Sequence, residues 1–370
     1  MVDRRRIVRL WGVGGAQALV TLIRVEGSSY RRPGAHLLIG AAGECAGMIS
    51  GGCLETEVVR RALWMVRAGA LVERYSTLFD DTSELPFGLG CGGVVDLLLE
   101  PADTAECRAL LAAMEASLSG HESRVVTWLP ANGRAMHRAV MAADGAVLFS
   151  SEGLDATELA TITDHWMAIV DCGSEVYVEA LAAPQRLFVL GAGEDARPVV
   201  TMASLLGWNV TVADGRVQLS RTERFAEAEQ VLATASVAEL KITAKDAVVV
   251  MTHSYEQDRT HLTESLAGSA GYIGLLGAMH RSSLLIAEAA AHLGRSVAEC
   301  CERVWAPVGL DLGGDGAEAI ALAVVAEVQA WRQGKLGVSL KLTAEDVARH
   351  IEQGGASRYL QTQCAMGAAK

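Results

Sequence analysis

The chain has 370 residues, 51 % of them apolar and 21 % charged, with a formal net charge of −12. That length exceeds one ordinary domain and suits two or three, and the acidic balance argues against nucleic acid or an anionic membrane surface as the main partner. No apolar run reaches the roughly 18 residues of a membrane helix, though a glycine-rich loop can still bind phosphate inside an acidic protein.

Arg4-Arg5-Arg6 and the apolar residues up to Ile23 have the outline of an export signal. Arg9, Gln17 and the glycines at 12, 14 and 15 interrupt it, and no small-residue cleavage site precedes Glu26-Gly27-Ser28-Ser29. The segment reads instead as a short amphipathic helix at Arg4–Val13 and a strand at Ala18–Val25. The eight cysteines, at 45, 53, 91, 107, 172, 300, 301 and 364, form no Cys-x-x-Cys and no zinc-spaced group. A chain this long folds without disulfides, so they read as free thiols in a reducing, cytoplasmic setting.

After the turn Gly27–Gly34, His36–Ile39 and Cys45–Ile49 read as a hairpin. Ser50-Gly51-Gly52 ends it. From Leu54 to Arg67 the period is helical, with Val58, Val59, Ala62, Leu63 and Val66 on one stripe and Gly69 as the stop. A polar stretch leads to Gly88-Leu89-Gly90-Cys91-Gly92-Gly93 and a strand at Val94–Glu100. Residues 104–118 read as helix. Alternating segments at 123–129, 137–142 and 146–150 are expected to extend the first domain's sheet, and Ala182–Gln185 is the expected linker.

The second half opens with Leu187–Leu190, a short apolar run suited to a buried parallel strand. Gly191-Ala192-Gly193-Glu194-Asp195-Ala196 follows, then a helix from Pro198 to Leu206, a strand at Asn209–Ala213, and Asp214. This is the Gly-x-Gly-x-x-Ala dinucleotide fingerprint in strand–turn–helix context. Gly191 permits the turn, Gly193 lets the backbone approach a diphosphate, Ala196 permits close packing, and Asp214 stands about 20 residues on, where a ribose-binding carboxylate is expected. Glu194 is unhelpful beside a diphosphate unless it points away. A scaffold kept for packing, or one serving another ligand, has the same pattern. Strands at Ala247–Met251 and Tyr272–Leu275 end in Thr252-His253-Ser254 and Gly277-Ala278-Met279-His280-Arg281, where ligands bind in open α/β sheets. His253 there is an acid/base, a ligand hydrogen-bonder or a structural residue. The loop Pro307–Gly314 is a ligand wall or only a turn, and Ala317–Trp331 reads as a long helix.

These segments carry a resemblance. Gly27-Ser28-Ser29-x-Arg31-x-Pro33-Gly34-Ala35, Ser50-Gly51-Gly52-Cys53-Leu54-Glu55, Gly88–Gly93, Gly191-Ala192-Gly193, Thr252-His253 and Ala306–Asp311 look like the marks of the XdhC/CoxI family, in order from about Ala18 to about Trp331. The resemblance implies an accessory chaperone for xanthine, CO or aldehyde dehydrogenases. It would bind molybdenum cofactor as cargo, assist its sulfuration and deliver it to the molybdenum hydroxylase apoenzyme, with a cysteine desulfurase and a second copy of itself as further partners. The chain departs from the family at Tyr30, where Pro is usual, at Glu194, where His is usual, and at Ala278-Met279, where Ser-Arg is common.

The residue chemistry fits such a role. Cys53 precedes a helix, and thiols at helix N-termini are partly thiolate near neutral pH. A thiolate is what a soft metal or a sulfur transfer needs. Cys91 lies in a glycine-rich loop whose N–H groups can converge on an anion. Small cysteines in crowded turns would look the same. Cys300 and Cys301 read as helix-packing residues. The expected architecture is α/β: a mixed α/β domain over 1–182, a Rossmann-type parallel-sheet domain over 186–335, and an extension over 336–370. The expected site combines Ser50, Gly51, Gly52, Cys53, Glu55, Gly90, Cys91 and Gly92 with Gly191, Gly193, Asp214 and His253. Cys53 and Cys91 would lie nearest the metal, and the first domain's glycine loops would face the C-terminal edge of the second domain's sheet. The alternatives are an NAD(P)-dependent oxidoreductase with His253 as acid/base, and a nucleotide or redox sensor.

Overall fold

The computed structural model describes residues 1–52, 54–76, 93–131, 134–154, 167–169, 175–234 and 236–337. Cys53, Gly90, Cys91, Gly92 and the extension after residue 337 lie outside them.

Helix α1 (Val2–Val13) leads into a five-stranded sheet of β1 (Ala16–Glu26), β2 (Ala35–Gly40), β3 (Cys45–Gly47), β4 (Leu71–Ser76) and β5 (Val94–Pro101), ordered β3-β2-β1-β5-β4. Helices α2 (Glu55–Met65) and α3 (Ala105–Leu118) flank it. Ala18, Val20 and Leu22 of β1 pack with Val58 and Ala62 of α2. Leu19 packs on the other side with Ile7 of α1 and Leu110, Leu111 and Met114 of α3. Both faces of β1 are covered, which is why its sequence is an apolar run without alternation. Thr104 caps α3 by accepting from Cys107 N–H at 3.1 Å.

The first sheet is antiparallel at each described pairing, and one expectation for this half is corrected. Strands β6 (Ser123–Trp128), β7 (His137–Ala142) and β8 (Val147–Ser150) do not extend that sheet. They form a second antiparallel sheet with β9 (Met167–Ile169) and β10 (Glu175–Leu181), ordered β8-β7-β6-β10-β9. The physical reason is that β5 already pairs with β1 and β4, and α3 carries the chain into a second layer. Glu100 of β5, fully buried, then receives Arg138 of β7 in a two-pronged ion pair at 2.8 and 2.9 Å.

The second half is a six-stranded sheet of β11 (Arg186–Leu190), β12 (Asn209–Ala213), β13 (Gln230–Leu232), β14 (Ala247–Val250), β15 (Tyr272–Leu275) and β16 (Val304–Trp305). Its order, β13-β12-β11-β14-β15-β16, with parallel pairings throughout, is the 3-2-1-4-5-6 order of a Rossmann sheet. Leu187 and Val189 face α4 (Ala196–Leu205) and α8 (Ala317–Arg332). Phe188 and Leu190 face α5 (Tyr255–Ala267) and α6 (Met279–Leu293), with α7 (Val297–Arg303) beyond. Cys300 of α7 packs into that core, whereas Cys301 is exposed, so the packing expectation holds for only one of the pair. Among the described residues no helix is long and apolar enough to cross a membrane.

The N-terminal sheets meet this sheet at the edge where its strands begin. Arg5 donates to Asn209 Oδ1 at 2.5 Å, at the first residue of β12. Lys245, just before β14, donates to Glu122 at 2.5 Å, and Arg332 donates to the Ala183 carbonyl at 3.3 Å. Met1 stands against Gly207, where an added Cβ would come within 2.7 Å of Met1 Cβ. Arg31 donates to Asp3 at 2.7 Å, which ties the Gly27–Gly34 turn to the first turn of α1. A groove of about 610 Å³ runs along this seam, lined by Glu122, Pro184, Lys245 and Arg332. The Gly27–Gly34 turn is thus tied, through α1, to the edge opposite the one expected, about 15 Å of strand away.

Candidate functional site

Two clusters of motif residues emerge, one in each half. In the first, Ser50 and Glu55 lock a turn. Glu55 Oε1 accepts from the N–H groups of Ile49 at 3.1 Å and Ser50 at 2.7 Å, and the Ser50 hydroxyl donates to Glu55 Oε2. Ser50 Oγ in turn accepts from Gly52 N–H at 3.2 Å and from Leu54 N–H, at the start of α2, at 3.1 Å. Both side chains therefore shape the loop. A Cβ on Gly51 would lie 3.5 Å from the Tyr30 ring, whereas one on Gly52 would meet open space. A Cβ on Gly93 would collide with the Ser28 carbonyl, so only glycine fits where that motif enters β5. The Gly27–Gly34 turn, the Ser50–Gly52 turn and Gly93 thus lie near one another at one end of the sheet, where Glu26 pairs with Val94.

The second cluster lies past the C-terminal ends of β11, β12, β14 and β15. Gly191 has φ +127, and an added Cβ would collide with the Met251 carbonyl oxygen, so the turn requires glycine. Ala196 is fully buried against the sheet, as the fingerprint predicts. Glu194 points to solvent, 73 % exposed, held by Arg197 at 3.0 Å and Arg224 at 2.6 Å. Those two hydrogen bonds, Arg197 first, keep its carboxyl below the usual range. His253 adopts φ +63, uncommon without glycine, and Nε2 lies 2.7 Å from Asp195 Oδ2. Beneath it, Asp258 accepts from Thr252 N–H at 3.0 Å and Thr252 hydroxyl at 2.6 Å, and takes Arg281 at 2.7 Å. Arg281 Nη1 also stands 3.3 Å from a Cβ placed on Gly277, so a guanidinium reaches the loop that lacks the family's Ser-Arg.

Asp214 departs from its expected role. It is buried, and its two oxygens accept from Ala192 N–H at 2.9 Å and from Arg216 through N–H and Nε at 2.9 Å each and Nη2 at 2.6 Å. Arg216 also donates to the Thr252 carbonyl at 3.2 Å, which couples the ends of β12 and β14. The carboxylate braces the loop and presents no open oxygen pair to a ribose. Burial pushes its pKa up, but the Arg216 hydrogen bonds, with the N–H groups of Arg216 and Ala192, outweigh this and hold it below the ordinary value. A depressed folded pKa contributes stability fully above the unfolded value of about 4 and loses it as pH falls through the folded value. Thermal unfolding below about pH 4 is therefore expected to fall more steeply for the wild type than for Asp214→Asn. Parallel pH profiles would refute this.

Sequence reasoning missed Asp195, Asp258 and Arg281 as members of this cluster. Asp195 occupies a variable fingerprint position, and Asp258 lies in the first turn of α5, where an acidic residue is ordinary. Among the described residues no group of three or more His, Cys, Asp or Glu is placed to hold a metal ion. A cavity of about 420 Å³ adjoins Gly277, lined by Val308, Leu310, Leu312 and Ile320, so the Pro307–Gly314 loop is one of its walls.

Residues 187–328 match the family model of the XdhC Rossmann domain, and residues 10–76 match that of the XdhC and CoxI family. The chain belongs to the XdhC/CoxI family. The Gly88–Gly93 motif falls between the two matched spans. Among XdhC/CoxI-like relatives, a Bacillus subtilis (strain 168) protein named as a probable xanthine dehydrogenase subunit is 28 % identical over 325 residues, 84 % of this chain and 91 % of that one. A protein named molybdenum cofactor insertion chaperone PaoD, of Escherichia coli (strain K12), is 25 % identical over 319 residues, 86 % of this chain and 84 % of that one. A crystal structure described as a xanthine dehydrogenase from Bacillus halodurans superposes with a TM-score of 0.77 at 26 % identity, covering 94 % of this chain and 99 % of that one.

Proposed function

We propose that this protein is an accessory factor that binds molybdenum cofactor as cargo, assists its sulfuration and delivers it to a molybdenum hydroxylase. The observation that carries the reading is the approach of Gly51, beside the Tyr30 ring, and of Gly93, the last residue of the third motif, against the Ser28 carbonyl, to the Gly27–Gly34 turn at one end of the first sheet. Likeness over most of the chain to a protein named a molybdenum cofactor insertion chaperone supports it.

The cargo has a soft dithiolene–molybdenum end and a hard phosphate end. In this reading Cys53 and Cys91 serve the soft end, and the backbone of Gly51, Gly52, Gly90 and Gly92 serves the phosphate. Ser50 and Glu55 act by holding the turn. Cys53 directly precedes Leu54, the N-cap of α2, a chain position that favours a thiolate. A cysteine desulfurase as sulfur source, a homodimer and a cytoplasmic setting complete the reading. The free thiols Cys45, Cys107, Cys300 and Cys301 are compatible with a reducing compartment.

Protein isolated from cofactor-producing cells, oxidised with acid iodine, is expected to release fluorescent pterin and to contain molybdenum. It should also activate an apo-hydroxylase. Protein free of pterin and metal that turns over NAD(P)H would instead favour an oxidoreductase, with the Asp195–His253 pair as its acid–base group.

A further inference from the structure

The loop that opens α4 has the backbone of a dinucleotide cradle, but its anion position is filled. A Cβ built on Gly193 would lie 2.5 Å from Asp195 Oδ1. That carboxylate oxygen therefore stands in the space that glycine at this position leaves for a diphosphate. Asp195 is the N-cap residue of α4, yet its side chain makes no capping hydrogen bond. It reaches instead to His253 Nε2 at 2.7 Å. The His253 ring also borders the cradle, with Cδ2 3.8 Å from the same Cβ position. The left-handed backbone at His253 sets where that ring stands, so the partner that pins Asp195 is itself fixed by the turn after β14.

The surrounding charges agree. Asp214, at the ribose position, is engaged by Arg216 and by Ala192 N–H. Arg197 and Arg224 hold Glu194, and Arg281 holds Asp258. Each of these arginines already has a carboxylate at this edge. A diphosphate entering here would meet the Asp195 carboxylate within contact distance, at the place where the helix N-terminus favours an anion. To enter, it would have to break the Asp195–His253 contact and expel Asp195.

We propose that Asp195 is a resident anion that occupies the phosphate position of this Rossmann loop and closes it to NAD(P) and other dinucleotides. The residues present at this loop do not fit a nicotinamide cofactor. This goes beyond the cofactor-delivery reading and does not depend on it, since cargo bound at the N-terminal motifs leaves the loop untouched.

Calorimetric titration of the full chain with NADH and with ADP tests the proposal, using the wild type, Asp195→Asn and Asp195→Ala. Asn keeps the size and removes the charge; Ala removes both. The wild type is expected to bind more weakly than about 1 mM, and both variants at least tenfold more tightly than the wild type. His253→Gln, which leaves the carboxylate in place, is expected to gain less than either. Wild-type binding in the micromolar range overturns the proposal. So does a folded Asp195→Asn variant, matched to wild type in thermal unfolding, that gains no affinity. If Asp195→Ala does not fold, Asp195→Asn decides alone. Pterin retention measured on the same variants reports separately on the delivery reading.

Discussion

Replacing Arg138 by methionine is expected to remove about 3–5 kcal/mol of stability, the largest effect of any single substitution argued for this chain. Arg138 and Glu100 are 1 % and 0 % exposed, and both guanidinium nitrogens meet the carboxylate. Arg138 Nε also donates to Thr127 Oγ1 at 3.0 Å, and Nη1 to the Glu106 carbonyl at 2.9 Å. Methionine would leave the Glu100 carboxylate buried without its cation and those acceptors without a donor. The double variant Arg138→Met/Glu100→Leu removes both charges, and such exchanges are often neutral or stabilising. It is therefore expected to recover most of the loss. Urea unfolding of the two variants checks this. Equal losses in the single and double variants would show that packing, not charge pairing, sets the effect. The pair also concerns the site, because Glu100 lies on β5, whose first residue follows directly on Gly93. Cys107, beside this pair, is pushed well up by burial and then by the Glu100 charge, so its thiol stays protonated and inert.

The parallel sheet was legible in the sequence because its strands are short and buried on both faces. Leu187–Leu190 and Tyr272–Leu275 have no polar residue to interrupt them, and Gly191 could be read as obligatory from its place between strand and helix. The N-terminal half was legible only in its elements. Alternation in 123–129 or 137–142 shows that one face is covered but does not say which strand lies alongside, so the second sheet was merged into the first. Strand β4, Leu-Val-Glu-Arg-Tyr-Ser, was missed because an edge strand tolerates polar residues on its open side. Strand β10 was missed although it lies inside the second sheet, between β6 and β9. In the site, the fingerprint located the turn but not its charge state. Asp195 meets His253 across 58 positions of sequence, and no periodicity reports a contact of that range. Asp214 was found at the right place and given the wrong partner, because spacing cannot show that Arg216, two residues on, would take it. The meeting of domains misled for a related reason. Ligand sites favour domain interfaces, but α1 and Lys245 put the interface at the edge where the strands begin.

Changing Cys53 and Cys91 together to serine is expected to lower retained molybdenum and pterin by about tenfold or more, a loss of at least ~1.4 kcal/mol in binding. Serine keeps the size of the side chain but offers a hard hydroxyl where a soft metal prefers sulfur. Each single change should weaken retention and activation of the client hydroxylase in part. The fold is expected to persist, because neither change deletes side-chain volume. Thermal unfolding on the same samples separates loss of cargo from loss of structure. The turn around Cys53 gives an internal control. Glu55→Gln weakens the hydrogen bonds to Ile49 N–H and Ser50 N–H while leaving both thiols. If the thiols bind metal and the turn merely presents them, Glu55→Gln should reduce pterin and molybdenum together. The cysteine variant should lose molybdenum more than pterin, since the phosphate end would still find the glycine backbone. A double cysteine variant that keeps both and still activates its client would assign the thiols a packing role and leave the glycine backbone as the binding surface.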